Sequence, residues 1–493
     1  MKFKKVLCGV TAALTVLSAT AIPVQAAELK LLTAKFSEVS NGGYFDFFGN
    51  GYFSDGTKIL RLGEKEIAEW NKTGKIAVSS VTTDFDVSGL DWWTGDFEGG
   101  YVQFVKEDDS ENITERYIVH LDENSGKIET VYTLGSEWAY TMSDGYTVLE
   151  PKGDVNSGTV SVTVIKPDGT RLTSTIKSWL AHMDGAAWDD YVWFNFRAVE
   201  DEKYCCYIVV DEKEGGSILD ERIYAVYAID RQGNAVKVAG DLKASSCGGI
   251  ETAQNKNLII SLMGEDYVPY GLALSAAGGN ARKFDFYGSA YYIGDNRAIV
   301  VNMGSSNYEL VDINTGKTIV SYPYIDSMDD ALFRIYTNEG KFGFIDRNGK
   351  ILDTFDDADI FRGDYAPVLK DGKAYLIDRN MNCVSDKIDA NAVYSFMGGL
   401  YRVDNGASMI VAYINADTSS EPSSAPSESK PDNTSGTPSG STSSDNTSSS
   451  IPSESTPANP GDNDNPNSGA AMALIPIALV GGAAVVVTKK RRK

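Results

Sequence analysis

Histidine is almost absent from this 493-residue chain, which carries only His120 and His182. That scarcity starves nucleophilic and zinc chemistry, since a Ser or Cys nucleophile needs a nearby base and zinc sites draw on imidazole. His120 alternates with Val119 and Leu121 and reads as a packed or surface imidazole; His182, two residues before Asp184, leaves a His–Asp contact open. No catalytic, cofactor or metal residue is assigned. Cysteine is sparse too. Cys8 lies in the N-terminal apolar run, and Cys205, Cys206, Cys247 and Cys383 allow three disulfide pairings. Cys205 and Cys206 are neighbours in a strand-like run, where adjacent side chains face opposite ways, so they are poor joint ligands for one metal. All four read as buried thiols, with a disulfide from Cys205 or Cys206 to Cys247 as the alternative.

Basic residues are also scarce, 45 against 68 acidic. Three of the cations precede residue 27 and five follow residue 488, so the part between carries 37 basic residues and a net charge of about −31. A field of that sign repels phosphate backbones and excludes nucleic acid as a partner.

Long apolar runs occur only at the ends. Lys2, Lys4 and Lys5 precede the run 6–22, and Val24-Gln25-Ala26 before Ala27 is a small-x-small exit, so residues 1–26 read as a secretory signal peptide cleaved between Ala26 and Ala27. Residues 470–488 hold no charge, and as a helix they reach ~28 Å, about one hydrocarbon core. Lys489, Lys490, Arg491, Arg492 and Lys493 follow and fix that end in the cytoplasm. Residues 417–464 are nearly all Ser, Thr, Pro, Asn, Asp and Gly, and read as a disordered stalk with an end-to-end distance on the order of 40 Å.

Asn465-Pro466-Asn467-Ser468-Gly469, the apolar span and the basic tail together resemble the sorting signal of Gram-positive wall-anchored proteins. The resemblance implies sortase cleavage between Ser468 and Gly469 and attachment to the cell wall. Asn465 stands where that family has Leu and Ser468 where it has Thr; without a sortase that accepts this motif, the chain stays a single-span membrane protein. Either way the expected location is the cell surface, with the N-terminal domain outside.

Between the ends, residues 27–416 show hardly any helical periodicity but many short runs rich in Val, Ile, Tyr and Phe, broken by Gly, Asn or Asp. The turns that start at Asn71, Asp122, Lys166, Asp230, Ala276, Asp312, Asp346 and Asp378 recur at the interval of one supersecondary unit. Such spacing predicts an all-β repeat array, an irregular seven- or eight-bladed β-propeller of about 40–50 residues per blade, with a pair of sandwiches as the alternative. The tightest repeat is Gly340-Lys341-Phe342-Gly343-Phe344-Ile345-Asp346-Arg347-Asn348-Gly349-Lys350, which returns one unit later as Gly372-Lys373-Ala374-Tyr375-Leu376-Ile377-Asp378-Arg379-Asn380. The segments Phe361 to Val368 and Phe396 to Val403 form a second pair. Across residues 307–414 the chain resembles the WG-repeat family, whose unit reads Gly-Lys-Trp-Gly-Tyr-Ile-Asp-x-x-Gly-Lys followed by aromatic-Gly-Leu-Ala-x-Val. Phe342 replaces the signature Trp, and Ala374-Tyr375 replaces Trp-Gly. The resemblance implies a binding role and carries no catalytic residues.

Asp84-x-Asp86-x-Ser88-Gly89 opens like a calcium loop, but Gly95 holds the twelfth position where a bidentate Glu is needed, so it reads as an acidic turn. The paired carboxylates of a glycosidase could come from Asp91, Asp96, Asp189 or Asp190, yet a chain this acidic always offers such pairs. More specific are the aromatics beside them. Trp92, Trp93, Trp188, Tyr191 and Trp193 are the candidate ligand-binding residues, because sugars stack on Trp faces while acids accept their hydroxyl hydrogen bonds. Packing between neighbouring β-units is the blander reading of the same Trp residues, and the favoured one. The leading functional expectation is a non-enzymatic surface module that binds an extracellular protein or glycan. The alternatives are a carbohydrate-active enzyme with paired carboxylates in a propeller funnel and a purely structural surface-layer component. The anchoring has a direct check: full-length protein fractionates with the cell envelope, and a chain truncated before residue 470 appears in the medium, whereas uncleaved protein in the cytosol contradicts it.

Overall fold

The computed structural model describes residues 29–415 except 40–45, 56, 97–98, 123–124, 182–190, 215–220, 279–280, 287, 295, 303, 328–330 and 396–399. The proposed signal peptide, stalk, sorting motif and 470–488 span lie outside these residues. Among the described residues, no helix is long and apolar enough to cross a membrane.

Among the described residues nine antiparallel sheets form a β-propeller, and seven of them are meanders of four successive strands. In chain order the blades cover residues 46–80, 90–134, 139–177, 194–244, 246–285, 290–322, 324–355, 357–389 and 392–415, and they are numbered here from 1 to 9. The second strand of blade 3 breaks into Thr147–Leu149 and Lys152–Asp154 around Pro151, which has no N–H to give a ladder. A short pair, Leu180–Ala181 with Tyr191–Val192, stands between blades 3 and 4.

Blade 9 closes the ring. It contributes only three strands of its own, and its fourth is the N-terminal strand Leu29–Lys35, paired antiparallel with Ser408–Asn415 from Leu29↔Asn415 to Lys35↔Met409. Nine buried apolar clusters then fill the nine gaps between neighbouring blades. Ile118 of blade 2 meets Ile165 of blade 3, Leu310 of blade 6 meets Phe333 of blade 7, and Leu400 and Ile410 of blade 9 meet Phe53 and Leu60 of blade 1. Because each blade is covered on both faces, a middle strand can be buried without alternation; every residue of Tyr204–Asp211 is buried. Exposed apolar residues such as Val131, Val236, Ile351 and Leu352 sit on the fourth strands, at the outer rim.

The ninth blade corrects the expected count of seven or eight. The turn signals mark the connection from third to fourth strand in blades 1 to 8, but blade 9 has no such connection, since its fourth strand comes from the other end of the chain. The later blades are also shorter than the expected unit, blade 7 ending at Phe355 after starting at Tyr324, and blade 8 ending at Asp389 after starting at Asp357. Asn71 is a second correction. It lies in a helix, Glu64–Thr73, that replaces the hairpin turn of blade 1. There the Glu66 carboxylate accepts the Gly63 N–H (3.2 Å), Gly74 ends the helix at φ 69°, and buried Trp70 packs into the blade 9–blade 1 core.

The repeated Asp-x-x-Gly turn has two jobs. Its Asp caps the turn: Asp346 Oδ1 accepts the N–H groups of Asn348 (2.8 Å) and Lys350 (2.9 Å), and Asp230 and Asp378 do the same in their blades. Its Gly, at φ 75° in Gly233 and 80° in Gly349, lies against the fourth strand of the preceding blade, Gly233 on Leu172 and Gly349 on Val320. A Cβ at Gly233 would stand 2.6 Å from Leu172 Cβ, whereas a Cβ at Gly372, of similar φ (70°), meets nothing within 4 Å. Gly372→Ala is therefore expected to cost about 1 kcal/mol from backbone strain alone, and Gly233→Ala at least twice that, as read by urea unfolding. Equal losses would show that the turn does not bear on its neighbour.

Candidate ligand-binding surface

The first strand of every blade is the inner one, and its free edge presents backbone N–H groups toward the centre of the ring. Side chains of the neighbouring first strand satisfy several of them. Thr141 N–H donates to Thr94 (3.1 Å), Ile250 N–H to Asn195 (2.9 Å) and Ile293 N–H to Gln254 (3.3 Å). Between blades 8 and 9, Val393 N–H donates to Asp357 (3.0 Å) and Ser395 N–H to Asp359 (2.5 Å). Burial pushes the Asp357 carboxyl above its ordinary range. Arg334 of blade 7 ties this group together through ion pairs to Asp326 (2.9 Å) and Asp359 (2.6 Å). Burial works against its charge, but Asp359 and Asp326 outweigh that and keep the guanidinium ionised. These central carboxylates are engaged by backbone and by Arg334, so they lace the inner rim.

The aromatic candidates do not gather at one point. Trp92 is half-buried in the core between blades 1 and 2, and its indole N–H donates to Gly95 O (3.1 Å). Trp193 packs edge-on against Tyr224 (5.2 Å) in the core between blades 4 and 5. Trp188 and the side chain of Tyr191 lie outside the described residues, as do His182, Asp189 and Asp190. Trp93 differs. The inner strand Leu90–Asp96 slips register between Trp92 and Thr94, and Trp93 is the extra residue of that bulge, 36% exposed, over the Arg116 guanidinium (5.2 Å).

A second bulge was not legible in the sequence. The first strand of blade 6, Ala290–Ile293, shifts between Ala290 and Tyr292, and Tyr291 is left 50% exposed. Its ring lies 5.6 Å from Tyr308, which lies 4.9 Å from Tyr324, the residue two before Asp326. The three form an aromatic ladder from open surface down to the Asp326–Arg334 pair. A bulge depends on pairing with the neighbouring strand and leaves no local mark in the sequence.

Other candidates resolve into packing. The His120 ring lies 4.4 Å from that of Tyr101. Asp84 accepts the N–H and hydroxyl of Thr130 (2.9 and 3.1 Å) on the fourth strand of blade 2, and Asp86 caps Ser88 N–H (2.9 Å), so one carboxylate ties the segment to the blade and the other closes a turn. The four cysteines among the described residues are free thiols, and no disulfide joins Cys247 to the Cys205–Cys206 pair. Contrary to the expected alternation, Cys205 and Cys206 enter the same core between blades 3 and 4, because the register slips between Tyr204 and Cys206. Burial pushes the Cys205 thiol up to about 12. Cys383 is exposed rather than buried. A cavity of about 320 Å³ opens at the closing seam, lined by Thr33, Ile388, Val403 and Met409 with Lys387, Asp389 and Asn405.

No family model matches the chain, and no curated protein does. Among solved structures it is similar to the dihydro-heme d1 dehydrogenase NirN (14% identity, 66% of this chain and 72% of that one, TM-score 0.34). It is also similar to AztD from Citrobacter koseri (11%, 75% and 96%, TM-score 0.33) and to the WD40 domain of SCAP from fission yeast (9%, 66% and 95%, TM-score 0.31). The assignment as a β-propeller rests on the strand order and the closed circuit of blade cores.

The inner lacing is testable. Arg334→Met strands Asp326, Asp357 and Asp359 without a counter-charge, and is expected to cost about 3 kcal/mol near neutral pH. The folded-state Asp357 pKa is raised, so this carboxyl favours the folded state only when protonated. The deficit therefore shrinks as the pH falls through that raised pKa, read as unfolding midpoints at pH 7 and pH 4. An equal deficit at both pH values would contradict the lacing role.

Proposed function

We propose that this protein is a non-enzymatic recognition module held at the cell surface, whose propeller binds a glycan or protein outside the cell. The observation that carries the reading is the pair of inner-strand bulges that turn large aromatics outward, Trp93 in blade 2 and Tyr291 in blade 6. Leaving such rings exposed costs burial that the adjoining cores could supply, and flat rings with polar neighbours are what glycan and protein partners stack on. The anchoring belongs to the same proposal: signal peptide 1–26, a stalk at 417–464, the sorting-like motif 465–469 and the 470–488 span would set the propeller off the wall or membrane. The segments within 307–414 that resemble WG repeats lie in blades 6 to 9, and the binding role that this resemblance implies supports the same reading.

Recognition is favoured over the alternative of a polysaccharide-cleaving enzyme by the inner rim, where Asp357 and Asp359 accept backbone N–H groups and offer little to a substrate, and where Asp91 is the one candidate acid described as exposed. The purified protein is expected to retain partners from glycan and extracellular-protein arrays, with Tyr291→Ala or Trp93→Ala weakening capture about tenfold. Product release from polysaccharides, or no ligand on either array, would overturn the proposal.

A further inference from the structure

Arg116 is a buried cation with no paired anion among the described residues. It is 1% exposed, and its one hydrogen bond runs from Nε to Glu137 O (2.6 Å), leaving Nη1 buried with no partner. Burial alone lowers its pKa, with no carboxylate to offset it. The contrast within the same molecule is Arg222, equally buried but ion-paired to Asp211 at 2.5 Å. An uncompensated guanidinium is costly, and a fold that keeps one calls for a reason.

The surroundings supply it. Asp91, Val105, Arg116 and Leu134 are paired across blade 2 in one row, so their side chains share the face turned toward blade 3. Trp93, raised by its bulge, covers the guanidinium from the solvent side, and Asp91 is exposed at the inner end of the row, about 10 Å or two strand spacings from Arg116. The carboxylate of Glu137, whose carbonyl takes the Arg116 Nε–H, is turned away to Lys152 (2.6 Å) and Arg171 (3.9 Å).

We propose that Trp93, Arg116 and Asp91 form a subsite for a carboxylate-bearing sugar. The sugar ring lies on Trp93, the carboxylate takes the unpartnered Nη1 as Trp93 pivots aside, and Asp91 accepts a ring hydroxyl. Lys152 and Arg171 supply the positive field that draws an acidic glycan to an otherwise acidic surface. A peptide carboxyl terminus would satisfy Arg116 equally but would leave the flat indole and the hydroxyl acceptor without use. This subsite rests on the recognition reading above and names its ligand class.

The test is calorimetric titration of the full-length protein with trigalacturonate and 3′-sialyllactose, each against its uncharged counterpart, the trimethyl ester and lactose. At least one acid form should bind about tenfold or more tighter than its counterpart, the worth of one charge-assisted contact. Trp93→Ala should weaken both forms, and Arg116→Met should erase the preference of acid over neutral form. Since Arg116→Met removes a buried side chain, the exposed double variant Lys152→Gln/Arg171→Gln gives a second reading, with the preference expected to fall several-fold and its salt dependence to flatten. Equal affinity for acid and ester, no binding of either acid, a preference that survives Arg116→Met, or tighter binding of a free-carboxylate peptide would each overturn the subsite. Neutral glycans or proteins captured without acid preference would leave the recognition reading standing and remove only this proposal.

Discussion

The antiparallel pairing of Leu29–Lys35 with Ser408–Asn415 is the constraint on which the ring depends. A propeller is a chain of blades that bury only the faces their neighbours cover, so an open array would leave one face of blade 1 and one of blade 9 to water. By lending its first strand to the last blade, the chain turns two exposed ends into one more buried core. Leu32 and Ala34 from the N-terminal strand, Leu400 and Ala412 from blade 9 and Phe53 and Leu62 from blade 1 occupy it together. The pairing also sets Leu29 opposite Asn415, so both ends of the described chain leave the propeller side by side.

Closure leaves a second problem, at the centre, where nine inner strands present edges that no tenth strand can cover. The solution here is chemical. Thr94, Asn195, Gln254, Asp357 and Asp359 each reach across to the next blade and accept an N–H, and Arg334 holds the carboxylates in place. At the far ends of the third strands, Asp230, Asp346 and Asp378 cap hairpins in the same way. Part of the chain's acidity is thus structural, spent on backbone donors. Against that background Arg116 stands out as the opposite case, a positive group that the fold buries and does not pair.

The repeat was legible because Asp and Gly at fixed offsets are the local requirements of a hairpin with a left-handed residue, and a turn writes those requirements into a few adjacent positions. Eight of the nine blades could be counted that way. The ninth could not, because its completing strand lies near the opposite end of the sequence and no local signal ties Leu29 to Asn415. The blade 1 helix was marked after all, by Glu66 three residues after Gly63 and by Gly74 at its end, but it is too short for periodicity to stand out against strands. The aromatics Trp92, Trp93 and Trp193 were visible as residue types. Which of them face water was decided by register slips, and those depend on the partner strand. The burial of Arg116 was equally invisible, since a strand written Ile-Thr-Glu-Arg-Tyr looks solvated until blade 3 is laid against it.

Amide hydrogen exchange along the two paired segments tests the closed ring most directly. If Leu29–Lys35 is the fourth strand of blade 9, the amides of that segment facing Ser408–Asn415 exchange as slowly as those in the middle strands of the other blades, and slow together with them as one cooperative unit. Fast exchange in Leu29–Lys35 beside a protected Leu400–Asp404 would contradict closure, and with it the nine-bladed ring.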